Sequence, residues 1–119
     1  MIEIEIRPAC GVHGGLYRSV GHAEKGMEKV CTAVTAIADC LGANLDNTWN
    51  IKATRKAEKG LVELRWHKTD RKGQGLPRAN LAAGFAYTGL KELAVKYPGS
   101  VLVIWRQNHM ERREEHETK

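Results

Sequence analysis

The chain has 119 residues, 42% of them hydrophobic and 28% charged, an ordinary balance for one soluble domain around one core. No apolar run nears the roughly 20 residues that cross a bilayer, and the start Met1-Ile2-Glu3-Ile4-Glu5-Ile6 lacks the basic head and apolar centre of a signal peptide. No membrane or export role is expected, and a cytoplasmic site is. The formal charge of +5 is compatible with an RNA or acidic partner but does not demand one.

Taken in order, Ile2, Ile4 and Ile6 share one face of a strand. Arg7-Pro8 ends it, and Cys10 to Gly15 reads as a turn into a second strand over Leu16–Val20. Gly21 and Gly26 bracket a loop that carries His22. The spacing of Val30, Val34, Ile37 and Leu41 predicts a helix over Met27–Leu41, with Gly42 as its stop. Strands are expected over Thr48–Thr54 and Leu61–His67, joined across Lys56-Ala57-Glu58-Lys59-Gly60. After a polar loop from Lys68 to Gly75, a second helix starts near Pro77, with Leu81, Phe85, Ala86, Leu90, Leu93 and Tyr97 as its apolar face. Pro98-Gly99 stops it, and Val101–Trp105 forms a last buried strand. The expected class is α+β in the order ββαββαβ, a mainly antiparallel sheet packed by two helices. Residues 1–110 are expected to form a single domain, and 111–119 a charged, disordered tail.

The three cysteines, Cys10, Cys31 and Cys40, are odd in number, so at least one thiol is free. Cys31 stands in the first turn of the predicted helix, beside Lys25 and Lys29 and after the glycine-bracketed loop. Unpaired N–H groups and the positive dipole end at such a position favour a thiolate nucleophile. His22, on a loop able to fold back, is the candidate base. The plainer alternatives are a buried structural cysteine and a surface histidine.

Glu28 lies three residues before Cys31 on the same side of the helix, so it either orients the imidazole or is simply a first-turn acid. Thr35 lies one turn after Cys31 and either bonds back into the helix or lines the cleft beside the thiol. Cys40 reads as core or partly buried filler. A zinc site from Cys10, His13, His22 and Cys31 is the competing chemistry, weakened by the lack of any paired CxxC or HxxxH. The basic stretch Arg55, Lys56, Lys59, Arg65, Lys68, Arg71 and Lys72 reads as a solvated face or as a surface for acidic partners.

Gly21-His22-Ala23, then Gly26, then Val30-Cys31-Thr32-Ala33-Val34-Thr35-Ala36 resembles the ribosomal-processing cysteine protease family Prp. The segment Gly89-Leu90-Lys91-Glu92-Leu93-Ala94-Val95-Lys96-Tyr97-Pro98 is similar to the close of that family's second helix. The resemblance implies a small α+β homodimeric peptidase that needs no cofactor or metal. Such enzymes remove an N-terminal extension from a ribosomal protein precursor. Phage-borne members are associated with capsid or scaffold proteins. Carried over by position, His22 is the general base and Cys31 the nucleophile, while Glu28 stands where the family has aspartate and Thr35 where it has serine. The gap between His22 and Cys31 is shorter than is usual in the family, which points to a divergent or phage-type member. A non-catalytic basic module that binds ribosomal particles or RNA is the rival reading.

Overall fold

Alternation of isoleucine with charged residues at the start of the chain gives a strand with one dry face. That strand, β1 (Ile2–Arg7), buries Ile2, Ile4 and Ile6 and turns Glu3 to solvent. The computed structural model describes residues 1–10, 13–48, 51, 53–66 and 75–107. β1 is followed by β2 (Gly15–Gly21), α1 (Glu28–Ala43), a π-helical turn (Asn44–Thr48), β3 (Ala53–Glu58), β4 (Leu61–Trp66), α2 (Gly75–Lys96) and β5 (Val101–Trp105). The class is α+β and the order ββαββαβ, as the sequence predicts.

The five strands lie in the order β3-β4-β2-β1-β5. All neighbours are antiparallel except β1 and β5, which run parallel. The register sets Ile4 opposite Ser19 and Ile6 opposite Tyr17 on one face, with Glu3 opposite Val20 and Glu5 opposite Arg18 on the other. Both helices contribute to the single core on the isoleucine face, where Tyr17, Leu64 and Trp66 join Val30, Val34, Leu41 and Leu90. Among the described residues the opposite face is open, with Glu3, Arg18, Val20, Leu102 and Ile104 around a shallow hollow. No helix among the described residues is long and apolar enough to cross a membrane.

Three expectations are corrected. The third strand runs Ala53–Glu58 rather than Thr48–Thr54, and its link to β4 shrinks to Lys59-Gly60. β3 has a single neighbour, and Thr54 to Glu58 are all exposed, so no apolar alternation marks it. Ile51, within the expected span, is buried outside any strand, its N–H donating to the Leu45 carbonyl at 2.7 Å. In α2 the expected apolar residues Leu81 and Phe85 face solvent at 55% and 68% exposure, and Ala79, Ala82, Ala83 and Ala86 are buried with Leu90. Small side chains let the helix backbone sit close to its neighbours, so its packing face is an alanine face rather than a leucine one. Cys40 is exposed rather than filler, because Val30, Val34, Ala38 and Leu41 take the buried stripe of α1. Of the loop predicted from Lys68 to Gly75, only Gly75 is described, as the first residue of α2; the rest, with His67, and the tail over 111–119 lie outside the described residues.

Candidate active site

β2 ends where the chain must leave the sheet. The Gly21 N–H donates to the Gly60 carbonyl at 2.8 Å, and a side chain at Gly21 would run into the Met1 carbonyl. His22 follows, its own carbonyl accepting a hydrogen bond from the Met1 nitrogen at 2.9 Å. The loop then folds back: the Ala23 N–H donates to Cys31 Sγ at 3.4 Å. Beyond it, the Met27 N–H closes a turn onto the Glu24 carbonyl at 2.9 Å.

Met27 precedes α1 without a side-chain cap, so no side chain satisfies the first N–H groups of the helix. Cys31 stands one turn into α1 and is half-buried, and its side chain lies over the preceding turn. Glu28 Oε1 accepts a hydrogen bond from the Gly26 N–H at 3.2 Å. Its carboxylate thus fastens the loop that joins His22 to the helix. The residue that bonds back into the helix is Thr32, whose hydroxyl donates to the Glu28 carbonyl at 3.1 Å. Thr35 is exposed and lines the cleft instead.

A cleft of about 140 Å³ opens between α1 and the β3–β4 hairpin, and it brings His22, Cys31, Thr35, Glu58, Gly60 and Val62 onto one surface. Its floor comes from Ile2 and Ser19 on the covered face of the sheet. No direct hydrogen bond joins the His22 imidazole to the Cys31 thiol; both line the same small space. An ion pair from Arg55 on β3 to Asp39 on α1, at 2.7 Å, spans the two walls. The hairpin's contribution went unseen in the sequence. Lys59-Gly60 signals a turn there, but nothing local says that the turn meets His22.

The rival chemistries find less support. Cys10 and His13 pair as an isolated β-bridge, with N–H to carbonyl bonds of 3.0 and 2.9 Å. Among the described residues no group of three or more His, Cys, Asp or Glu side chains can hold one metal ion. Three cations of the basic stretch are engaged within the fold: Arg55 with Asp39, Lys56 with Glu58 at 3.8 Å, and Arg65 with Glu63 at 2.7 Å. Lys68, Arg71 and Lys72 lie outside the described residues.

The sequence matches no family model and no curated protein. Solved structures do match. The ribosomal processing protease Prp of Staphylococcus aureus, in complex with a substrate peptide, superposes with a TM-score of 0.72 at 14% identity, over 89% of this chain and 100% of that one. The same protease with a covalently linked product peptide gives 0.69 at 15% identity, over 89% and 100%. SMU.848 from Streptococcus mutans gives 0.70 at 19% identity, over 91% and 99%. The chain therefore has a Prp-like fold, one shared with a ribosomal processing protease.

Proposed function

We propose that the protein is a cysteine endopeptidase in which Cys31 is the nucleophile and His22 the general base. The observation that carries this reading is the shared cleft of thiol and imidazole, with the Ala23 N–H directed at the sulfur. An N–H donor bonds more strongly to a sulfur anion than to a neutral thiol, so this contact grows as the nucleophile ionises.

The chemistry follows from the groups present. The Cys31 thiolate attacks the scissile carbonyl carbon, and His22 holds the thiol proton. Backbone N–H groups at the start of α1, with the Ala23 N–H beside them, are the candidate oxyanion donors. Collapse of the tetrahedral intermediate breaks the C–N bond, and the imidazolium gives its proton to the leaving amine. Water, deprotonated by His22, then hydrolyses the thioester and returns the free thiol. Glu28 supports the reaction by fastening the loop between the two residues, and Thr35 supplies a hydroxyl to the cleft wall.

The substrate is a protein segment in extended form, since the two walls of the cleft are a helix and a strand hairpin. The family resemblance, together with the fold shared with a protease that binds a substrate peptide, favours an N-terminal extension of a ribosomal protein precursor or a phage capsid or scaffold protein. A second copy of the chain is the expected partner, read from that resemblance and tested by light scattering. The cytoplasm is the expected compartment, in keeping with three free cysteines.

Incubation with the ribosomal precursor, and with any capsid or scaffold protein encoded beside the gene, tests the reading. Cleavage should vanish in Cys31→Ala and fall by about 100-fold or more in His22→Ala. Iodoacetamide at about pH 7 should label Cys31 ahead of Cys10 and Cys40. Equal, slow labelling of all three, with no cleavage, would favour the non-catalytic module.

A further inference from the structure

We propose that Gly60 is a positioning residue: the β3–β4 turn is the seat against which the His22 imidazole is held. The inference deepens the peptidase reading and rests on it for its catalytic consequence. Two contacts join the turn to the His22 segment. The Gly60 carbonyl accepts the Gly21 N–H at 2.8 Å, which fixes the backbone immediately before His22. The imidazole itself lies against the Gly60 Cα. A Cβ placed on Gly60 would stand 3.0 Å from His22 Nε2, 3.6 Å from Cδ2 and 3.7 Å from Cε1.

Any side chain at this position therefore crowds the ring edge that carries Nε2. The exposed ring must give by a few tenths of an ångström, which changes where its nitrogens point within the cleft. A general base displaced in this way loses turnover more than substrate affinity. The hairpin reaches the site only through space, and this contact gives it a defined task there.

Gly60 has a second reason to be glycine, its φ of +76°, which must be separated from the ring contact. Gly99 provides the control. Its φ is +86°, and a Cβ there would meet nothing within 4 Å. Asparagine accepts the left-handed region better than other residues with a side chain. Gly60→Asn and Gly99→Asn thus place comparable demands on the backbone, and only the first touches the imidazole.

The experiment is a urea-denaturation cycle with both asparagine variants in the wild-type and His22→Ala backgrounds, joined to NMR of the His22 ring, whose resonances are assigned with His22→Gln. Gly60→Asn should move the ring resonances and lower kcat/KM by about 10-fold or more, chiefly through kcat. Gly99→Asn should leave both unchanged. The excess destabilisation of Gly60→Asn over Gly99→Asn should disappear once His22 is alanine. A Gly60→Asn variant that unfolds beside His22 but folds in the His22→Ala background reports the same contact. Unmoved ring resonances, or an excess that persists without the imidazole, overturn the proposal. The cycle and the ring resonances need no turnover, so they decide the seat even if the Cys31→Ala comparison overturns the peptidase reading.

Discussion

Cys31 and Cys40 share one helix and have different neighbours. Cys31 stands near the helix start, beside a backbone N–H and within a cleft; Cys40 stands near the end, exposed, with Asn44 one turn on. The sequence separates the two because one follows a glycine-bracketed histidine loop and the other does not. It carries no sign of the Gly60 contact, because a turn's sequence specifies its backbone shape and not what packs against it. Glu63 was equally silent, since its three cationic neighbours lie on three different strands. Its carboxyl is held below the ordinary glutamate range, first by the hydrogen bond from Arg65 and then by the charges of Arg65, Arg18 and Lys56, against a desolvation that opposes them. A lowered folded-state value means that the ionised form stabilises the fold above the ordinary carboxylate range, and that this contribution is lost as pH falls through the folded value. The arginines are half exposed, so solvent screens the interaction. Glu63→Gln should cost less than about 1 kcal/mol at neutral pH. Urea midpoints of variant and wild type should converge in acid.

At the scale of elements, legibility followed the type of side chain that each packing face uses. The isoleucines of β1 and the valines of α1 announce their faces by period. The alanines of α2 do not, because alanine is common on both faces of a helix; Ala86, Leu90, Leu93 and Tyr97 of the expected face do pack on the core, while the large Leu81 and Phe85 do not belong to it. β3 was misplaced because an edge strand needs no dry face. What holds α2 to the body of the protein is partly polar. Asn80 Oδ1 accepts the Ala9 N–H and Asn80 Nδ2 donates to the Ala9 carbonyl, both at 2.8 Å. This amide therefore satisfies both backbone groups of a buried residue just beyond β1. Asn80→Ala leaves both without a partner and should destabilise by about 1–3 kcal/mol, read as a lowered urea midpoint at unchanged slope.

For the whole molecule, the strand order concentrates stability away from the cleft. β1 is bonded on both sides, by β2 and β5, and lies under the main core; β3 is bonded on one side and is almost wholly exposed. Amide hydrogen exchange should be slowest in β1, close to the global unfolding free energy, and fastest among the strands in β3. The hairpin that walls the proposed active site thus belongs to the softer half of the sheet, where opening to admit an extended segment costs least.

The parallel pairing of β1 with β5 joins the first strand of the described residues to the last. A chain emerging in order from the ribosome can pair β1 with β2 at once and raise the hairpin and α1 around the cleft soon after. The outer edge of β1, however, stays unpaired until Trp105 has been made. Through that interval its backbone groups are a template for any passing strand. β5 therefore covers an edge made much earlier, and a nascent chain stalled before Val101 leaves that edge open to pairing with other chains.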